Sequence, residues 1–353
     1  MTVTQAKSAL DKIIQKSRIH LYKPIQIAEI LYRYRIGQLT NLLDLESYRS
    51  ASKRWRDDVS KDLLGTVCTS SCKFQDNLFD DNAIPPAVLK VLGDENKRTN
   101  GAVEAYIYKR FDNKHGLLKS ILNYCESSTP RSFEVQRVIN SFWAEAGLKR
   151  SLDKVYEIIV YSLFITIIEA LELRVSLEIN PDKKALLEEF QDFTMKVMQI
   201  DLSNPIQHQK AKVFRVGVTN AADRGLDMYS NWGPAIQIKH LTLDEELAST
   251  IVGEIQSDRI IIVCKDVERK VLISVLNQLG WASRIQSIVT EDDLMTWYEK
   301  ALRGQYSVET GERLLQTLAE QMQLEFPSVG GGSPIIDERH YEEISSPDWV
   351  ITC

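Results

Sequence analysis

The run RIIIVCK (259–265) constrains this chain more than any other stretch. A continuous apolar strand with no polar alternation is buried on both faces, as strands are in a parallel sheet. Helical patterns bracket it: TLDEELASTIVGEIQ (242–256) before it and DVERKVLISVLNQLG (266–280), closed by Gly280, after it. A second strand, RIQSIVT (284–290), leads into EDDLMTWYEKALRG, a helix capped around Thr290 and closed by Gly304. Strands alternating with helices predict parallel crossover units. Just upstream, GLDMYS and PAIQIKHL read as two short strands joined by Asn231-Trp232-Gly233, an antiparallel hairpin in the same sheet. The fold class is therefore α/β, with a mixed β-sheet flanked by helices.

The remaining sequence divides into three regions. Residues 1–150 are rich in cations and aromatics and read as largely helical; HLYKPIQIAEILYRYR (20–35) is a Pro24-initiated helix with apolar spacing at Ile27, Ile30 and Leu31. Within this region SYRSASKRWRDDVS (47–60) and RTNGAVEAYIYKRF (98–111) are cationic patches. Each alone is as well explained by a solvated helix face; several in one region favour a polyanion surface. Residues 151–304 hold a long helix beginning at Ser151, a second amphipathic helix over ALLEEFQDFTMKVMQI (185–200), a β-rich stretch KVFRVGVTN (212–220) and the alternating units. Residues 305–353 read as an extension in which VGGGSP (329–334) is a flexible linker before an acidic end.

The exclusions are simple. At 353 residues and 44% hydrophobic the chain buries a sizeable core. No run of about 18 apolar residues predicts a membrane span. MTVTQAKSALDKII lacks a secretory signal, which sets a cytoplasmic expectation. Five scattered cysteines argue against a disulfide framework, and Cys68 and Cys72 in CTSSC have no second pair at zinc spacing. A net charge of −6 confines any nucleic-acid surface to a local patch. Neither a Ser-His-Asp or Cys-His spacing nor a GxxxxGK[ST] run stands out, so no nucleotide cofactor is expected.

Chemistry concentrates in ADRGLDMYSNWGPAIQIKHL (222–241). Strand side chains alternate faces, so Gln237 and Lys239 point the same way and Ile236 and Ile238 the other. The hairpin folds Asp227 back beside them. A hard divalent cation such as Mg2+ takes oxygen ligands, here the Asp227 carboxylate, the Gln237 amide oxygen and a backbone carbonyl such as that of Ile238. Such an ion neutralises a scissile phosphate, and Lys239 stabilises the developing charge. Taken singly, Asp227 is a turn residue and Lys239 a solvated lysine; the combination is what carries the reading. His240 points to the opposite face and reads as packing or a hydrogen-bond partner.

The pattern Asp227…Gln237-x-Lys239 resembles the PD-(D/E)xK nuclease superfamily, with glutamine at the acidic position as in its Mrr-like branch. A closer resemblance is to the HaeII-like type II restriction endonucleases, carried by HLYKPIQIAEILY, QDNLFDDNAIPP (75–86), VYEIIVYSLF and VGVTNAADRGLDMYSNWGPAIQIKHL, and spanning nearly the whole chain. The resemblance implies a restriction-endonuclease-like core and metal-dependent hydrolysis of double-stranded DNA at a short palindrome of purine-GCGC-pyrimidine type. A helix carboxylate completes such sites. Glu157 is the first choice, because its helix precedes the sheet and lies within the resemblance, and Glu189 the second. Arg224 is a candidate phosphate ligand, while Asp223 beside it reads as either a supporting acid or half of a local ion pair. Arg49, Arg54 and Arg56 are candidates for DNA contact, since arginine reads guanine bidentately. A palindrome is read about a two-fold axis, so a homodimer is expected, with residues 1–150 as its recognition and dimerisation region. The competing readings are a structure-selective or repair nuclease of the same fold and a non-catalytic DNA-binding protein.

Overall fold

The computed structural model describes residues 1–353 apart from 69–74, 145–147, 217–225, 272, 274–283, 327–333, 345 and 351–353. Two compact units emerge. The first comprises Met1–Ser127, Gln136–Val155 and Met322–Cys353; the second comprises Ser128–Val135 and Tyr156–Gln321. These boundaries differ from those drawn at 150 and 304 in the sequence, because the last residues of the chain join the first unit.

Helices dominate the first unit: α1 (Val3–Lys16), α2 (Tyr22–Arg35), α3 (Arg49–Leu64), α4 (Pro86–Arg98), α5 (Ala102–Ser127) and α6 (Val135–Ala144). The expected helix over 20–35 is α2, and it lies at the centre, packed against α1, α3, α4 and α5. Ile25, Ile27, Ala28, Ile30 and Leu31 are all fully buried. A helix buried on every side buries its polar residues too, and those need partners. Glu29 receives hydrogen bonds from Arg33 Nη1 (2.6 Å), Tyr108 Oη (2.7 Å) and Arg339 Nη1 (2.6 Å). Fully buried Glu104, on α5, accepts from Arg35 Nη2 (2.9 Å), from Tyr341 Oη (2.6 Å) and from Asn96.

Two of those donors come from the chain's end. Ile335, Ile336, Tyr341 and Trp349 are buried in the same hydrophobic cluster as α1, α2 and α5. The Tyr341 ring stacks on Tyr108 with centroids 5.2 Å apart. The acidic end expected to follow a linker is thus a core element; VGGGSP itself lies outside the described residues save Pro334. Alternation of aromatic and charged residues, rather than a continuous apolar run, hid this in the sequence.

The second unit carries the sheet, preceded by α7 (Leu152–Ala170), which starts directly after Ser151. Strands β3 (Val213–Arg215), β4 (Met228–Ser230), β5 (Ala235–Leu243), β6 (Ile260–Val267) and β7 (Ile285–Val289) pair in that order. The first three are mutually antiparallel and the last three parallel, so the sheet is mixed as expected. Helix α10 (Glu245–Glu254) makes the first crossover; Asp244 caps it by accepting from Leu247 N at 2.8 Å. Its Ala248, Ile251 and Val252 pack in one cluster with Ala235, Ile260, Ile262 and Cys264. Most of the second crossover, 274–280 with Leu272, lies outside the described residues. Helix α11 (Glu291–Arg303) opens with the expected cap at Thr290, as a capping box with Asp293, and ends at Gly304. Tyr298 on α11 donates to Ile159 O on α7 at 2.8 Å. Helices α12 (Ser307–Glu325) and α13 (Pro334–Glu338) follow. Among the described residues no helix is long and apolar enough to cross a membrane.

Between α7 and β3 the chain forms an arm. Strands β1 (Arg174–Glu178) and β2 (Ile206–Lys210) pair antiparallel as a separate two-stranded sheet. Between them lie α8 (Lys184–Glu189) and α9 (Gln191–Met198). The single helix expected over 185–200 is thus broken at Phe190, whose φ of −104° and ψ of 27° leave the helical range. The break lets Leu186, Phe190, Phe193 and Met198 line one cavity of 450 Å³. The two strands escaped notice because neither buries a face, so no clean alternation marks them.

Two predictions follow from the first unit. His20 and His115 are each held down to about 4 from 6.5, chiefly by burial, with Arg18 adding for His20 and the neighbouring His20 for His115. The unfolded imidazoles take up protons below 6.5 and the folded ones only near 4, so stability falls as pH drops through that window. Urea titrations between those limits should show this loss, and His115→Gln should flatten it; an unchanged slope in the variant would assign the loss to other groups. Arg339→Leu removes one of two guanidinium partners from a buried carboxylate and should cost about 3 kcal/mol in the same titration. A cost near zero would show that the tail contributes little to this core.

Candidate active site

The site begins with a turn. β4 and β5 pair at Tyr229↔Ala235 and Met228↔Ile236, and the connection closes with Ser230 N donating to Pro234 O at 3.1 Å. Gly233 takes a φ of +120°, and an added Cβ would lie 2.2 Å from Arg259 Nη2. That guanidinium donates to Trp232 O at 2.7 Å. Glycine is therefore required by torsion, whereas the Arg259 side chain could move aside from a Cβ.

One position beyond Met228↔Ile236, β4 ends and side chains take over. Gln237 Nε2 donates to Asp227 Oδ2 at 2.6 Å, and Ile238 N donates to the same oxygen at 2.7 Å. An ionised carboxylate only accepts, so the amide must present its NH₂ group to Asp227 and turn its oxygen away. Gln237 is 2% exposed, and its Oε1 is a buried atom with no hydrogen-bond partner among the described residues. A buried acceptor of this kind is costly unless a ligand satisfies it. Within a strand the N–H and C=O of one residue project to the same side. The Ile238 carbonyl accordingly lies on the edge of β5 where Asp227 sits.

All three groups offer oxygen, the donor a hard cation takes; Asp227 and the Ile238 carbonyl would hold it, and Gln237 Oε1, turned away from Asp227 here, would join them once the amide rotates. Among the described residues no three His, Cys, Asp or Glu side chains converge on a cation site.

Lys239 follows two residues later on the same face, half-buried, opposite Cys264 of β6. The Cys264 thiol is pushed up to about 12 by burial, with Asp266 and Asp293 adding, so it is no nucleophile near neutral pH. His240 beside it is half-buried. Glu157 lies in the second turn of α7 at 5% exposure, whereas Glu189 is an exposed charge at the end of α8. Burial separates the two candidates: Glu189 behaves as a solvated helix end, and Glu157 as a carboxylate held inside.

The arginines fare differently. Arg54 is exposed on α3, and Arg49 is half-exposed with Nη1 on Glu46 at 2.9 Å. Arg56 corrects the surface reading: it is 1% exposed, with Nε and Nη2 on Asp57 Oδ1 at 2.8 and 2.6 Å. A dense cationic stretch wound into a helix turns some of its members inward. Arg224, Asp223 and Gly225 lie outside the described residues, as does Cys72. Sequence reading missed Phe214 and Tyr229, which pair across β3 and β4 and stack with centroids 5.0 Å apart. Tyr229 lies two residues from Asp227 on the same face, and both rings are exposed. Period-two spacing from Asp227 was the available signal.

Comparison with known proteins bears on these residues together. Residues 6–341 match the family model of the HaeII restriction endonuclease. Over 336 residues the chain is 52% identical to the type II restriction enzyme HaeII of Haemophilus aegyptius, covering 95% of this chain and 94% of that one. It is 53% identical over 335 residues to the type II restriction enzyme NgoBI of Neisseria gonorrhoeae, covering 94% of each. No solved structure matches the chain significantly. A match of this extent, taking in the hairpin, the helices before it and the crossovers after it, means that the chain belongs to the HaeII restriction endonuclease family and is a site-specific endonuclease.

Proposed function

We propose that this chain is a divalent-metal-dependent, homodimeric type II restriction endonuclease. It cleaves double-stranded DNA at a short palindrome of purine-GCGC-pyrimidine type. The observation that carries the metal and the site is the orphaned Gln237 Oε1 beside an Asp227 fixed by two donors. The names of the two relatives support the reaction, and the two-fold symmetry of a palindrome supports the dimer.

Each residue has a definable task. Gln237 Nε2 and Ile238 N hold the Asp227 carboxylate in one orientation, so its geometry is set before any substrate arrives. When bound, a hard cation such as Mg2+ supplies charge neutralisation at the scissile phosphate and a more acidic water. Lys239 Nζ, on the same face, donates to a phosphate oxygen as charge builds during displacement. Glu157 is the carboxylate we assign as the site's second acid, on its burial. Arg54 and Arg49 are candidates for contact with the phosphate backbone, and Arg224 for the phosphate nearest the hairpin. Full-length kinship with restriction enzymes weighs against a repair nuclease or a non-cutting DNA binder.

The first test is digestion of a sequenced plasmid with and without magnesium, followed by mapping of the ends. Discrete magnesium-dependent fragments sharing one palindrome are expected; cutting without sequence preference would sink the proposal. Asp227→Ala and Lys239→Ala should each lower cleavage by about 10²–10³-fold or more while leaving gel-shift affinity for the same duplex in place. Cleavage retained by either variant would move the site elsewhere. Gln237→Glu should replace a donor by a second carboxylate against Asp227, so that one of the two holds its proton to higher pH. In chelator its melting temperature should fall as pH rises from 5 towards 8, by roughly 2–4 °C for each kcal/mol in a unit of this size, and magnesium should restore it. A melting temperature indifferent to both would mean that position 237 is no cation ligand.

A further inference from the structure

The arm from Leu171 to Lys210 has a surface that its own fold does not explain. Among the described residues, ten of the 24 exposed large apolar side chains lie between Leu171 and Ile206, a tenth of the chain. Leu171 and Val197 are 63% exposed, Leu186 53% and Phe193 50%. In the β1–β2 register Leu177 and Ile206 point to opposite sides of the ribbon, so the ten do not share one face. The six from Leu186 to Met198, at roughly 150–200 Å² for a large side chain fully exposed, offer on the order of 500 Å². A stable interface takes about 800 Å² from each partner, a little over half of it apolar.

The charge of the arm indicates what covers it. Residues 171–210 carry seven carboxylates against five Lys and Arg, a net of −2. A phosphate backbone gains little from such a surface. Mixed signs do allow two identical surfaces to meet with opposite charges opposed. The arm also supplies both halves of a self-complementary fit. Its 450 Å³ cavity, lined by Leu186, Phe190, Phe193 and Met198, accepts an apolar side chain, and Leu171 and Val197 stand exposed outside it.

We propose that the arm is the self-association surface of this chain, docking on the arm of a second copy about a two-fold axis. The proposal rests on the reading above in requiring two copies at one palindrome, and it names the surface that joins them. It moves the dimer contact out of residues 1–150, where the cationic helices would remain available for DNA.

The test is sedimentation velocity on the full chain without DNA, alongside Val197→Asp, Leu186→Asp and, as a control on α12, Val308→Asp, whose valine is 94% exposed outside the arm. At about 1 µM the wild type and the control should sediment as dimers, and the arm variants as monomers with a dissociation constant raised about 100-fold. Circular dichroism spectra matching the wild type are expected, since both arm positions are already half or more exposed; if one variant misfolds, the other carries the comparison. A monomeric wild type, or arm variants that stay dimeric, would overturn the proposal. So would arm variants that remain dimeric yet lose affinity for duplex DNA, since the surface would then belong to DNA. Asp227→Ala should sediment as the wild type, so failure of the active-site assignment leaves this result readable.

Discussion

β5 runs farther than β4, and the site depends on that mismatch. Along most of its length β5 is locked to β6 by parallel pairing, which fixes its position in the buried sheet. On its other side the pairing with β4 stops at Met228↔Ile236. A strand edge left without a backbone partner in a buried place must be satisfied some other way. Asp227 does this, its carboxylate accepting the Ile238 N–H that no strand reaches. The same acceptance draws in the Gln237 amide and forces its oxygen to face the opposite way. One unpaired backbone donor therefore fixes both the Asp227 carboxylate and the orientation of the Gln237 amide.

This also explains the pairing of a polar face with an interior strand. Ile236 and Ile238 are buried, as are Ile260 and Ile262 beside them, and they hold the strand in place. Gln237 is buried with them, yet it is satisfied on one side only. A site built this way is rigid because it is part of the core, and polar because the core ends there.

Much of this was legible in the sequence because it rests on local signals. The apolar run of β6, the Thr290 and Gly304 ends of α11, and the period-two placement of Gln237 and Lys239 each leave a mark within a few residues. The bond from Gln237 to Asp227 was not legible, since spacing cannot tell an amide that ligates from one that orients. The burial of Arg56 was hidden too, because a helical turn decides which member of a cationic run faces inward. The arm escaped because exposed apolar strands have no two-faced pattern. The tail escaped because its partners lie about 300 residues away, as with Glu29 and Arg339.

That last separation has a consequence for the order in which the molecule forms. Helices α2 and α5 are synthesised early, but the core around Glu29 and Glu104 is completed by Arg339, Tyr341 and Trp349. Those residues are synthesised about 300 residues after α2. The first unit can collapse before then, with two buried glutamates short of donors, but it closes only once this segment has been made. Its completion thus waits for a late part of the chain, and a chain that lacked that part would expose the interior of its N-terminal helices.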